Sequence, residues 1–515
     1  MSDDLRAELE ELLDRRAAMS DAARPEAVER RRSAGRRTAR ENVEDLCDKG
    51  TFVEYGGLAV AAQRNRRSLE ELISKTPADG LIAGIGRVNE TSCAILSYDY
   101  MVLAGTQGAV NHRKKDRLFE VIDRLRLPVV LFAEGGGGRP GDTDVPTVSG
   151  LDTMAFALFA RLSGLVPSIG IASGYCFAGN AALLGCCDLI VATRDARIGM
   201  GGPAMIEAGG LGAHEPGDIG PADMHATKGV VDVLVEDEAE AVATAKELLS
   251  YFRGSTDEPQ VADQAPLRTM VPEHRRTAYD PRPIIETLSD TGSVTELRPR
   301  FGHTIVTALA RIDGRSVGIL ANDPRRLGGA IDSEGADKAA RFVALCDAHD
   351  IAILTLCDTP GFMVGPAAEE TAQVRHFARM FVTAASVTVP YITVVLRKGY
   401  GLGAQAMAGG SFHAPLATLS WPTGEFGGMN LEGAVRLGFR KELEAIEDEA
   451  EREDAFKAIV AEAYERGKAL NLASHFEIDD VIDPADTRAV VAELLRAAPP
   501  TEAPSGRKRP MIDPW

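Results

Sequence analysis

Long hydrophobic runs are missing from this 515-residue chain: no stretch of eighteen uncharged apolar residues occurs, so no membrane-spanning helix is expected. Cysteine is scarce. The seven thiols (Cys47, Cys93, Cys176, Cys186, Cys187, Cys346 and Cys357) are odd in number, lie mostly in apolar segments and form no CxxC pair. That excludes a zinc ribbon or a disulfide framework and points to reduced thiols in a cytoplasmic protein. Positive charge is also short, 57 Lys and Arg against 76 Asp and Glu, and a net charge of -19 excludes general nucleic-acid binding. The first residues, MSDDLRAELEELLDRR, are charged and helical, so no secretory signal peptide is expected.

The familiar nucleotide motifs are absent too. GGGGRPG at 135–141 has no Gly-Lys-Ser/Thr after it, and neither it nor Gly199-Met200-Gly201-Gly202 fits a dinucleotide fingerprint. His214 and His225 lie in a polar loop, and no metal is expected there. Ser173 and Cys176 have no His near them in sequence, so a covalent nucleophile is not expected.

What is present is a repeated unit. Length suggests two to four domains. LIAGIGRVNE and SCAILSYDY form a hairpin in the sequence pattern, followed by a helix over 111–125, a strand over 129–132 and a helix over 152–163. A strand over 169–172 then runs into the turn SGYCFAG, a helix over 180–185 and a strand over 189–192. From Gly302 the pattern returns. Arg87 matches Arg311, Asp99 matches Asp323, Lys114 matches Lys338, and Glu134-Gly135 matches Asp358-Thr359, each 224 positions on. VPSIGIASGYCFAGNAALLG is echoed by VPYITVVLRKGYGLGAQAMAGG, which at the same spacing pairs Gly179 with Gly403. The reading is α/β, with two homologous domains from an internal duplication: 1–256, then a polar, proline-bearing linker at 257–282, then 283–515, whose end is acidic and helical.

Each repeat carries two glycine turns: 134–139 and Phe177-Ala178-Gly179 in the first, Thr359-Pro360-Gly361-Phe362 and Gly401-Leu402-Gly403 in the second. Backbone N–H groups at such turns hold an oxyanion without any charged side chain. The same glycines also permit close helix–sheet packing, and the residues alone leave both readings open. Arg30-Arg31-Arg32, Arg36-Arg37 and Arg40 form the one basic run, suited to CoA phosphates or to a solvated helix face.

RRRSAGRRTARENVEDLCDKGTFVE, KTPADGLIAGIG, ILANDP, CDTPGF, RKGYGLGAQAM and DDVIDPADTRAVV, in this order over residues 30–495, carry a resemblance. The chain resembles the carboxyltransferase (β) subunits of biotin-dependent acyl-CoA carboxylases, the propionyl-, acetyl- and methylcrotonyl-CoA carboxylase group. The resemblance implies two tandem crotonase-like domains and transfer of CO2 from carboxybiotin to the α (or vinylogous) carbon of an acyl-CoA, a coenzyme A thioester. It implies oxyanion holes at Ala178-Gly179 and Leu402-Gly403. Substrate contacts are expected at Gly136, Gly137, Gly361, Phe362 and Gln405, with CoA mainly on the first domain and biotin on the second. Biotin would arrive on a separate biotin carboxylase/biotin carrier partner, since the chain shows no Ala-Met-Lys-Met motif, and the assembly would be a homo-hexamer or hetero-oligomer. The chain departs from the family pattern at Ala178 (commonly Gly), at Leu402-Gly403 (usually Gly-Ala) and at Gln405 (often Asp), which leaves the acyl group open. A biotin-dependent acyl-CoA decarboxylase subunit and a catalytically silent structural subunit are the alternatives.

Overall fold

The computed structural model describes residues 6–146, 148–256, 259–498 and 508–515. They divide into two units, residues 6–253 with 508–514, and residues 254–498 with 515.

The first unit is built on a seven-stranded sheet ordered β1 (Val53–Glu54), β2 (Leu81–Val88), β3 (Thr91–Tyr98), β4 (Val129–Phe132), β5 (Ser168–Ala172), β7 (Leu189–Thr193) and β9 (Val233–Val235). β2 and β3 are an antiparallel hairpin, and from β3 onward the strands are parallel. β4, β5 and β7 are buried at every residue, as apolar strands covered on both faces must be. A separate parallel pair, β6 (Tyr175–Phe177) and β8 (Arg197–Gly199), carries the first glycine turn. β1 is only two residues long. Gly84 lets it close on β2, because a Cβ there would lie 2.2 Å from the Val53 carbonyl oxygen. The helix expected over 152–163 is reduced to Ala155–Ala160.

The second unit repeats the plan with β10 (Thr295–Leu297), β11 (Ile305–Ile312), β12 (Arg315–Asn322), β13 (Ala352–Thr359), β14 (Tyr391–Tyr400), β15 (Ala417–Ser420) and β17 (Asp480–Val481), and β16 (Glu425–Gly427) pairs with the end of β14. The duplication reaches the details. Both hairpins turn through two left-handed residues, Asn89-Glu90 and Asp313-Gly314. Leu103, Ala104 and Gly105 have positive φ, and so do Leu327, Gly328 and Gly329. On the helix Ala109–Leu125, Lys114 donates from Nζ to the carbonyls of Ala78 and Leu81. On the helix Ser333–Ala348, Lys338 donates to those of Arg298, Phe301 and Ile305. Each lysine ties the start of its sheet to the helix that covers it.

The register corrects the sequence pairing of the glycine turns. Val129 pairs with Ser168, whereas Ile353, 224 positions on, pairs with Tyr391. The second unit has lost one residue between β13 and β14, and the offset at β14 is 223. Ala178 (φ 51°) therefore corresponds to Gly401 (φ 58°), and Gly179 to Leu402 rather than Gly403.

The segment expected as a linker is no linker. Leu267, Val271 and Tyr279 are buried in the second unit's core beside Ile284, Ile285 and Leu288, so residues 259–282 fold as part of that unit. Polarity and proline content hid three well-spaced apolar anchors. The C-terminal residues 508–514, expected in the second domain, group with the first. There Ile512 N donates to Ser163 Oγ at 3.0 Å.

Candidate active site

In the first unit the strand β6 delivers the chain to the helix Gly179–Gly185 through Ala178, whose φ of 51° and ψ of -120° lie outside the ordinary regions for an L-residue. The Ala178 N–H donates to the Gly199 carbonyl at 2.9 Å. The hole expected from the Ala178 and Gly179 amides is therefore not formed by that pair, because the Ala178 donor is already engaged. Among the described residues no acceptor pairs with the Gly179 N–H, a first-turn helix donor, nor with that of Gly138 in the neighbouring glycine loop. The loop and the turn are in contact, since a Cβ on Gly137 would lie 2.6 Å from Ala178 Cβ and 3.3 Å from Gly179 N. The N–H groups of Gly136 and Gly137 are engaged, by Ala104 O at 3.1 Å and Asn180 Oδ1 at 3.0 Å. These two glycines shape the site and leave Gly138 to donate.

The second unit reproduces the arrangement. Ile331 N donates to Gly361 O at 3.1 Å and Met363 N to Ile331 O at 2.8 Å, which turns the intervening Phe362 N–H away from that pairing. It has no acceptor among the described residues, and neither do Leu402 and Gly403. A Cβ on Gly403 would lie 2.7 Å from the Gly361 backbone and 3.1 Å from Phe362 N. The structure thus brings Gly361, Phe362, Leu402 and Gly403 together. Phe362 is held by its ring, stacked on Phe377 with 3.7 Å between centroids. Leu402 and Gln405 are exposed on the same helix, Gly401–Met407, and with Phe412, Phe426, Leu431 and Leu472 they line a cavity of about 590 Å³.

The site floor is braced by carboxylates at matching positions. Glu134 lies two residues past β4 and takes a bidentate grip from Arg31, with Nη1 to Oε1 at 3.0 Å. Burial pushes the Glu134 carboxyl up, and Arg31 opposes the shift. Its counterpart Asp358 is held by Arg397 and Lys398, each at 3.1 Å. The basic run near the N-terminus is therefore largely a clamp. Besides Arg31, Arg36 pairs with Asp195, Arg37 with Asp45, Arg40 with Glu54 and Arg32 with Glu41. His225 Nε2–H donates to Ile198 O at 2.7 Å and the His214 ring meets Leu211 O at 3.3 Å, which are structural roles. Sequence reasoning missed Gly138, whose only signal was its place, 224 residues before Phe362, in a run of four glycines.

Among the described residues no helix is long and apolar enough to cross a membrane. The family model described as a carboxyl transferase domain matches residues 30–512. The chain is 34% identical over 501 residues to the methylmalonyl-CoA carboxyltransferase 12S subunit of Propionibacterium freudenreichii subsp. shermanii, covering 95% of this chain and 93% of that one. A solved single-chain, multi-domain long-chain acyl-CoA carboxylase matches with a TM-score of 0.90 and 56% identity, over 95% of this chain and 49% of that one. The chain thus spans about half the length of that relative. The transcarboxylase 12S hexamer, solved with methylmalonyl-CoA and methylmalonic acid bound, matches with a TM-score of 0.83 and 30% identity over 98% of this chain and 100% of that one. The duplicated α/β units are the tandem crotonase-like domains expected from the sequence. With its two glycine turns and their free amides, the chain belongs to the carboxyl transferase domain family and is a carboxyltransferase of the acyl-CoA carboxylase type.

Proposed function

We propose that this carboxyltransferase acts on a long-chain acyl-CoA, with biotin supplied on a separate carrier, in a hexameric assembly. The observation that carries the substrate class is the 56% identity to a long-chain acyl-CoA carboxylase, and the fit of a hexamer follows from the likeness to transcarboxylase 12S. The cavity of about 590 Å³ beside the second turn falls in the range of ligand pockets, about 300–1,000 Å³, and has Arg466 and Glu477 among its apolar walls. Seven free cysteines fit a reducing cytoplasm.

The amides of Phe362 and Gly403, two neighbouring donors with no acceptor among the described residues, suit the ureido oxygen of biotin, which would gain negative charge as CO2 leaves. When bound, carboxybiotin supplies the CO2. The chain's own contribution is electrostatic. Gly179 and Gly138 present N–H groups to the thioester oxygen as it gains charge on loss of the α-proton, each donor being worth about 2.7–4 kcal/mol. No side chain of this chain is needed as the base, since the ureido nitrogen of biotin, freed when CO2 leaves it, would take that proton. The turn helix Gly179–Gly185 adds the positive end of its dipole.

The test is an acyl-CoA panel, from propionyl to palmitoyl, with a reconstituted biotin carboxylase and carrier. The expected result is a kcat/KM at least about 10-fold higher for the long chains, and a preference for propionyl-CoA overturns it. Gly179→Pro and Gly403→Pro each remove a donor and should cut turnover by about 10² or more. Full activity in both sinks the oxyanion reading.

A further inference from the structure

Behind the first turn lies a buried polar chain that the second unit lacks. Lys115 is wholly buried, and its ammonium meets only neutral oxygens: Gln107 Oε1 at 2.6 Å, Tyr98 Oη at 3.2 Å and Asn111 Oδ1 at 3.3 Å. Gln107 Nε2 donates to Asn180 Oδ1 at 3.1 Å, and the same oxygen accepts from Gly137 N at 3.0 Å. Asn180 Nδ2 reaches the carbonyls of Gly105 and Glu134 at 3.4 and 3.3 Å. A lysine ammonium only donates, so Gln107 must turn its oxygen to Lys115 and its nitrogen to Asn180. That in turn fixes the Asn180 oxygen toward the glycine loop. The relay ends under the turn: a Cβ on Gly179 would lie 3.2 Å from Gln107 Nε2.

The duplicate shows that the fold does not require this chain. At the corresponding positions the second unit has Ile331 for Gln107, Gly335 for Asn111, Ala339 for Lys115 and Gly403 for Asn180, and it still builds the same loop and turn. Lys114, by contrast, is matched by Lys338 and serves the sheet in both units. A buried ammonium with no carboxylate partner costs stability, so its presence on one side alone calls for a use on that side.

We infer that Lys115, Gln107 and Asn180 form a positioning relay that locks the Gly137–Gly179 backbone and sets a buried cation behind the amides that receive the thioester oxygen. The inference rests on the reading of the Gly179 turn as the acyl-CoA oxyanion site. It also distinguishes the two turns: the first is backed by a buried ammonium, and the second unit has Ala339 in place of that lysine.

Burial brings the Lys115 amine down to about 7, so its charge changes within the working pH range. The titratable groups around it are Tyr98 from β3, Asp79 from the turn before β2 (held by Arg139), and His112 and Asp116 from its own helix. His112, at about 3, stays neutral there, and Tyr98 is raised by burial and stays protonated.

The experiment uses the purified full chain, decarboxylating an alkylmalonyl-CoA with free biotin between pH 6 and 9. In the wild type, kcat should fall as the pH rises through about 7. Lys115→Met, Gln107→Leu and Asn180→Ala should each lower kcat about 10- to 100-fold at pH 6.5, with KM within about threefold. The double variant Lys115→Met/Asn180→Ala should be no worse than the poorer single one, and Lys115→Met should lose the limb near neutrality. Gln107→Glu sets a carboxylate beside the ammonium and should move that limb to higher pH, which carries the test if Lys115→Met does not fold. Unchanged kcat in the three single variants, or a limb that Gln107→Glu does not move, overturns the relay. Gly179→Pro is run in parallel: if that variant keeps turnover, it is the oxyanion assignment that fails, and not the relay alone.

Discussion

Replacing Gly403 by alanine adds one methyl group at the most crowded point of the second turn. The new Cβ would lie 2.7 Å from both Cα and C of Gly361, where ordinary contact begins at 3.4 Å. The obstacle is backbone, so no side chain can swing aside, and Gly361 or the turn must retreat by about 0.7 Å or more. Gly361 is itself pinned, accepting from Ile331 N and donating to Thr359 Oγ1, with a φ of 123° that suits only glycine. The retreat therefore moves Phe362 N, one of the two free donors. A misplacement near 1 Å costs on the order of 10²-fold in rate, and the overpacking costs about 1–3 kcal/mol of stability. Steady-state turnover and thermal unfolding of Gly403→Ala read the two effects. Gly185→Ala, where a Cβ meets nothing within 4 Å, is the control and should keep wild-type turnover and lose no stability. Folded Gly403→Ala with undiminished kcat refutes the placement of the donor pair.

Ala178→Gly should relieve the strain at φ 51° and raise the unfolding free energy by about 1 kcal/mol in a denaturant titration; a loss of stability would mean that the Ala178 methyl packs better than its backbone is strained. Arg31→Met leaves Glu134 buried without its cation, and thermal unfolding should show a loss of about 3–5 kcal/mol; a loss below 1 kcal/mol would deny the clamp its role. Lys114 is depressed to about 8 and Lys338 to about 7 by burial. Folded chains therefore hold fewer protons than unfolded ones above pH 7, and unfolding free energy should rise from pH 7 to 8, continuing the rise that His112 causes through pH 6. From about pH 8.5, where unfolded thiols ionise, the buried thiols, raised by burial, work the other way. A stability that falls steadily from pH 6 to 8 contradicts the assignment.

Sequence by itself determined the repeat, and with it the fold. Hydrophobic runs, hairpins and glycine turns recur at a constant spacing because each unit must bury the same sheet under the same helix, and periodicity is a local property. It also placed the turns at 178–179 and 402–403. What it did not decide was which amides are free there. The engagement of the Ala178 N–H by Gly199 and the exposure of the Gly138 and Phe362 donors depend on strands that are distant in sequence. The single-residue loss that shifts the offset from 224 to 223 emerged only from strand register, since Gly403 sits where a repeat-based alignment wants a glycine. The Lys115–Gln107–Asn180 chain was likewise invisible. Each of its residues is an ordinary polar side chain in sequence, and only folding removes the water that would otherwise have satisfied it.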